Sequence, residues 1–142
     1  KLSIMLGIDC GLRRGEILGA RRENLDFATA TLKLNETKNG YRRVVGLSPR
    51  VIEEIKKLPI NIDGRIINCP SSDNFYHFYN QLQKWTGIKK SFHCTRHTFA
   101  TRCVEKGWTI QEISAQGGWR DLRVLKRYTH LSANHLAKKL GS

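Results

Sequence analysis

The sequence is poor in acid, cysteine and proline. Of its 142 residues only 12 are Asp or Glu, against 25 Lys or Arg, so the net charge is +13. The surplus is spread along the chain, which excludes a basic tail on a neutral body. A balance this basic implies an anionic partner, and nucleic acid is the usual one. An anionic membrane surface fits less well, because no basic amphipathic helix dominates. No apolar run approaches the roughly 18 residues of a membrane span. The opening residues, from Lys1, do not read as a secretory signal. The 4 cysteines include no C-x-x-C pair and are too few for a disulfide scaffold. Reduced thiols in a cytosolic protein are the simplest reading. No internal repeat, low-complexity segment or linker divides the chain. Its length is that of one domain, with enough core to fold without a disulfide or metal.

The pattern along the chain predicts an α+β fold, mainly α-helical with a small three-stranded antiparallel sheet. Leu2, Met5 and Leu6 fall at helical spacing, Gly11 interrupts them, and Arg13 to Ala20 resumes the pattern. A short strand near Leu25 and Phe27 follows. Thr31 to Glu36 alternates, with Leu32 and Leu34 on one face, and Arg42 to Leu47 is the return strand. Between them Asn39-Gly40 is the strongest hairpin signal in the sequence. Helices follow. Ser48-Pro49 is an N-cap with proline at the first helical position, and Pro59 ends that helix. Phe75, Phe78, Tyr79 and Leu82 mark the apolar stripe of the next, closed by Gly87. Residues 93–106, Thr109 to Gln116, Asp121 to His130 and Ala133 to Leu140 complete the set. Trp85 and Trp108 read as core residues.

Five places could carry chemistry. Arg13, in Gly11-Leu12-Arg13-Arg14-Gly15-Glu16, sits where the chain turns into a helix. It reads as a phosphate-binding arginine held by Glu16, or as an ordinary surface ion pair at i, i+3. Lys38 precedes the Asn-Gly turn, where an ammonium could reach a groove of DNA; a solubilising turn lysine fits as well. In His93-Cys94-Thr95-Arg96-His97, His93 and Arg96 share a helix face. His93 and His97 are i, i+4, but no H-E-x-x-H glutamate and no third ligand accompanies them, so zinc is disfavoured. Trp119 follows Gly117-Gly118, at an active-site edge or in the packing of a helix junction. Tyr128 lies in Lys126-Arg127-Tyr128-Thr129-His130, where clustered cations would favour its phenolate.

In order and spacing these blocks resemble the tyrosine recombinases, the phage integrase family. The first block resembles T-G-L-R-x-x-E-L over Cys10 to Ile17. The hairpin block resembles T-K-x-x-x-R-x-V-P-L from Thr37-Lys38 to Leu47. His93, Arg96, His97, Thr98, Phe99 and Ala100 match H-x-x-R-H-T-F-A. Gly117-Gly118-Trp119, followed nine residues on by Tyr128, resembles L-G-H and its tyrosine. Two departures stand out: Gly117 replaces the usual leucine, and Trp119 stands where histidine is commoner. Cys94-Thr95 also replaces the usual Asp-Leu.

The resemblance implies a DNA breaking-and-rejoining catalytic domain over residues 1–142, with 132–142 as a C-terminal tail. An N-terminal DNA-clamping domain of a longer parent chain would precede it. Tyr128 would attack phosphorus to form a 3′-phosphotyrosyl bond. Arg13 and Arg96 would hold the non-bridging oxygens, and Lys38 would protonate the leaving 5′ oxygen. His93 would serve as general base or hydrogen-bond donor, Trp119 would replace the second histidine, and Glu16 would orient Arg13. No cofactor, ATP or metal is implied. The partners would be double-stranded DNA and further copies of the chain, a tetramer on a synapse. The setting would be a prokaryotic cytoplasm, on nucleoid, phage or mobile-element DNA. A type IB topoisomerase shares the Arg, Lys, Arg, His, Tyr set and is the nearest alternative. A non-catalytic DNA-binding module, with Thr109 to Thr129 as a helix-turn-helix, is the other.

Overall fold

The computed structural model describes residues 1–35, 42–128 and 133–142, with backbone alone at 133–135. Lys38 and the Asn39-Gly40 turn lie outside the described residues. The elements follow the sequence pattern: α1 (Leu2–Cys10), α2 (Arg14–Gly19), β1 (Leu25–Asp26), β2 (Thr31–Leu34), β3 (Arg43–Gly46), α3 (Pro49–Lys57), α4 (Ser72–Thr86), α5 (Cys94–Glu105), α6 (Ile110–Gly117) and α7 (Ala133–Leu140). Short 3₁₀ segments cover Arg22–Asn24 and Leu122–Tyr128. The sheet is antiparallel in the order β1-β2-β3, with Leu25 opposite Leu32 and Leu32 opposite Val45. That register puts Leu32, Leu34 and Val45 on the buried face. Among the described residues no helix is long and apolar enough to cross a membrane.

Local chemistry sets the helix ends. Ser48 Oγ accepts from Val51 N at 3.4 Å, with Pro49 in the first helical position. Ser71 caps α4 through Asn74 N at 3.2 Å. Thr109 and Glu112 form a reciprocal capping box at the start of α6, at 3.1 and 2.8 Å. One core gathers α1, α2, the sheet, α3 and the start of α4 around Leu6, Leu12, Ile17, Leu32, Ile55 and Phe75. A second joins α5, α6 and the last 3₁₀ segment through Phe99, Ala100, Cys103, Ile113 and Leu125. The seam between them is the α1–α5 crossing. There a Cβ on Gly7 would lie 2.3 Å from Thr95 Oγ1, so only glycine permits this approach. All four cysteines are free, and burial pushes the Cys10 and Cys103 thiols up to about 11.

Three expectations are corrected. Residues 122–128 form a 3₁₀ segment, not an α-helix. The spacing fits it: Leu125 and Tyr128 are three apart, and a 3₁₀ helix, with three residues per turn, puts both on one face. Leu125 is fully buried, and Tyr128 packs against the second core. Among the described residues, 122–128 therefore supply no α-helix for the second half of a helix-turn-helix. Trp85 and Phe78 are exposed, at 85% and 68%. They lie about 60–80° round α4 from Phe75, at 100° per residue. Of that helix only Phe75 is fully buried, stacked with Tyr79 and edge-on to Phe92. Trp108 is also exposed, its ring meeting that of Phe99 edge-on at 6.1 Å and its backbone N donating to Cys103 O at 2.9 Å.

Candidate active site

The site forms where α1 and α6 end. Gly11 (φ 71) and Gly118 (φ 71) cap these helices in the left-handed conformation that glycine adopts without a Cβ penalty. Their last carbonyls therefore turn outward, and helix C-termini carry partial negative charge. Three guanidinium groups take them up. Arg96 Nη1 donates to the carbonyl oxygens of Gly117, at 2.8 Å, and Gly11. Arg13 Nη2 donates to Gly118 O at 2.9 Å. Arg43 Nε donates to Gln116 O at 3.4 Å. Gln116 itself bridges the two layers, its amide nitrogen 2.9 Å from both Cys10 O and Gly46 O.

One carboxylate serves this cluster. Glu16, buried on the first turn of α2, accepts from Arg13 N at 2.9 Å and Arg13 Nη1 at 3.1 Å. It also accepts from Arg43 Nη2 at 2.9 Å and from Arg43 Nη1. Burial alone would raise its pKa; the bonds from Arg43 and Arg13 outweigh that and hold it below the usual carboxylate range. The Arg13–Glu16 pair expected at i, i+3 is thus half of a three-residue clamp.

Arg43 is the member that sequence reasoning missed. Its signal is the strand alternation: Arg43 and Val45 share the inward face of β3, opposite Leu34 and Leu32. An inward-facing arginine requires a buried acid, and Glu16 is the one within reach.

Arg96 is 2% exposed. Burial and then the nearby Arg13 push its pKa down to about 10, so it remains charged at neutral pH. Its buried Nε finds no hydrogen-bond partner among the described residues, an unspent donor within the cluster. The Arg96 guanidinium lies 4.1 Å from the centroid of the Trp119 ring, and Trp119 stacks parallel to Phe99 at 6.3 Å. Trp119 therefore packs Arg96 in place. A Cβ on Gly117 would fall 2.1 Å from Trp119 Cζ3. The indole thus fills the space a leucine at 117 would need, and the two departures from the motif are a single packing change.

Arg13, Arg96 and His93 open onto a cavity of about 570 Å³. Its far wall is α2 and α4, with Arg14 set 4.4 Å over the Tyr76 ring and Asn80 alongside. Burial, and then Arg96, Arg13 and Arg127, lower the His93 pKa, so the imidazole is neutral at pH 7. Tyr128 does not line this cavity. Its hydroxyl is hydrogen-bonded to Nδ1 of His97, one turn along α5 from His93. The His93 and His97 rings meet edge to face at 5.2 Å. Among the described residues no group of three or more His, Cys, Asp or Glu could hold a metal ion. The structure brings Arg13, Glu16, His93, Arg96 and Trp119 together, places Tyr128 beside them through His97, and leaves Lys38 undescribed.

Comparisons with known proteins agree with this geometry. The model of the phage integrase family matches residues 1–135. The shufflon-specific DNA recombinase of Escherichia coli is 36% identical over 140 residues, covering 96% of this chain and 36% of that protein. The tyrosine recombinase XerA of Saccharolobus solfataricus is 28% identical over 138 residues, covering 96% of this chain and 47% of the relative. The chain thus spans between a third and a half of the length of these relatives. The catalytic domain of bacteriophage HP1 integrase superposes with a TM-score of 0.76 at 21% identity, over 99% of this chain and 79% of that one. A XerA recombinase crystal structure gives 0.75 at 20%, over 99% and 56%. The arginine cluster, the sheet-and-helix frame and the family match lead to one conclusion: the chain belongs to the phage integrase family, the tyrosine recombinases.

Proposed function

We propose that residues 1–142 are the catalytic domain of a site-specific DNA recombinase that cleaves and rejoins DNA through a 3′-phosphotyrosyl intermediate. One observation carries this reading. Two fixed guanidinium groups, Arg13 and Arg96, flank the same cavity as His93, and the Tyr128 hydroxyl meets His97, one turn along α5 from His93. A phosphodiester gains negative charge on its non-bridging oxygens when a nucleophile attacks. Planar, permanently charged donors set at that point stabilise the transition state more than the ground state. Glu16 and the helix-end carbonyls hold those donors without neutralising them all.

In this reading Tyr128 Oη attacks phosphorus, and the bond from phosphorus to the 5′ oxygen breaks. Lys38 gives that oxygen its proton. His93 acts as base or as a hydrogen-bond donor to the phosphate, and Trp119 keeps Arg96 in position. The tyrosyl ester retains the phosphoester bond, so a 5′-hydroxyl can reverse the step without ATP or metal.

The partner is double-stranded DNA, in keeping with the +13 charge. Solved relatives include a Tn1549 transposon integrase in complex with circular intermediate DNA and XerH bound to its difH substrate. Residues 132–142 serve as a tail for docking on a neighbouring copy in a tetramer. Leu136 and Leu140, four apart on α7, are exposed for it.

The test is a nicked suicide substrate mixed with the chain and with Tyr128→Phe. An adduct on Tyr128, mapped by mass spectrometry and absent from the Phe variant, is the expected result. DNA binding with no adduct would overturn the proposal in favour of a binding module.

A further inference from the structure

We infer that His97, rather than His93, takes the proton from Tyr128 as its phenol attacks; the inference rests on the recombinase reading above and leaves His93 the second of its two roles, hydrogen-bond donor to the phosphate. His97 directly follows Arg96 on α5, about 100° further round the helix. Arg96 therefore faces the ends of α1 and α6, while His97 faces the 3₁₀ segment that carries Tyr128. The contact is made by the reacting atom itself: Tyr128 Oη lies against Nδ1 of His97. The rings are 5.8 Å apart and tilted by 38°. His93 lines the cavity, which Tyr128 does not, and its ring meets that of His97 edge to face at 5.2 Å.

The charges around His97 make Nδ1 an acceptor. Among the described residues, Arg96 and His93 on its own helix and Arg127 and Tyr128 on the segment packed against it face it. Burial lowers its pKa from the ordinary histidine value, and Arg127, His93 and Arg96 lower it further. The imidazole is neutral at pH 7, and Arg127 Nη2, which can only donate, selects the tautomer with the proton on Nε2, leaving on Nδ1 the lone pair that can receive the phenol hydrogen. Arg127 Nη2 stands 3.4 Å from the same nitrogen, and its guanidinium carbon 5.2 Å from the Tyr128 ring, where it favours the developing phenolate.

The step balances. The bond from Tyr128 Oη to phosphorus forms and the phenol proton passes to Nδ1. The bond from phosphorus to the 5′ oxygen breaks with its electron pair, and that oxygen takes a proton from Lys38. In rejoining, the 5′-hydroxyl attacks, Tyr128 leaves, and Nδ1 returns the proton. The cationic surroundings favour this return, because an imidazolium beside Arg127 and Arg96 is not a stable resting state.

The experiment is single-turnover cleavage of a suicide substrate by the wild-type chain, His97→Ala and His97→Gln, between pH 5 and 8. Gln keeps an acceptor oxygen but cannot be protonated, so it separates proton transfer from positioning. Both variants should form adduct about 100-fold more slowly, within the usual range for general base catalysis. They should lose the rise in rate that the wild type shows as His97 deprotonates, and added imidazole should restore part of the rate in His97→Ala. A substrate with a 5′-bridging sulfur, whose leaving group needs no proton, should rescue Lys38→Ala but neither His97 variant. Circular dichroism and DNA binding of each variant report folding. If His97→Gln cleaves within about threefold of wild type with the same pH profile, the assignment is overturned and His97 only positions the ring. If the wild-type chain forms no adduct, the recombinase reading fails first and this inference with it.

Discussion

The pairing of Gly117 with Trp119 can be tested by a double-mutant cycle. In the wild type a Cβ at 117 would meet Trp119 at 2.1 Å from Cζ3 and 2.4 Å from Cε3, inside any real contact. The indole cannot yield cheaply. Its ring is held by the Arg96 guanidinium at 4.1 Å and by Phe99 at 6.3 Å. Displacing it forfeits a cation–π contact of about 1–2 kcal/mol and an aromatic pair of about 0.5–1.5 kcal/mol. Gly117→Ala alone should therefore cost about 2 kcal/mol. In a Trp119→Ala background the obstacle is gone, and alanine is the better helix former at the end of α6. The same substitution should then be neutral or stabilising by about 0.5 kcal/mol. The coupling is about 2–2.5 kcal/mol, well above the few tenths of independent sites. The family-like pair Gly117→Leu with Trp119→His should likewise outlast Gly117→Leu alone. Urea denaturation of the four chains gives the values, read from midpoints at constant slope. Equal costs of Gly117→Ala in both backgrounds would refute the reasoning.

Glu16→Gln leaves Arg13 and Arg43 without their buried counter-charge and should cost about 3 kcal/mol, the lower end for breaking a buried ion pair; thermal denaturation beside wild type checks it, and a loss under about 0.5 kcal/mol would argue against the clamp. Stability should fall on acidification in two stages. His93 and His97, held below the ordinary histidine value chiefly by burial, disfavour the native state once the unfolded chain protonates them below about pH 6.5. The depressed Glu16 and Asp9 carboxylates, the latter held by its hydrogen bond from Arg50, contribute stability above the ordinary carboxylate range and lose it as pH drops through their native values. A urea midpoint unchanged from pH 7 to 4 would contradict this. DNA affinity should fall steeply as salt rises, because phosphate contacts release counterions. A titration flat between about 50 and 200 mM salt would count against backbone wrapping.

Much of the frame was legible in the sequence because its causes are local. The cap of α3, the alternation of β2 and the turnover at Gly11 and Gly87 are decided within a few residues, and the structure keeps them. Arg13, Glu16, His93, Arg96 and Trp119 were legible only through the motif blocks and the family they resemble, because taken singly each also fits an ordinary surface or packing role. What joins them was not. Arg43 reaches Glu16 across 27 residues, Arg96 reaches Gly11 across 85, and Arg13 reaches Gly118 across 105. Periodicity constrains neighbours within a turn; it says nothing of which inward faces meet. It could not show that Trp119 folds over Gly117, that Trp85 finds no core to enter, or that residues 122–128 tighten into a 3₁₀ segment. Nor could it place the Tyr128 hydroxyl on His97 instead of His93. Those outcomes were decided by close packing between elements distant in the chain, where a buried arginine must find an acceptor and two side chains cannot share one volume.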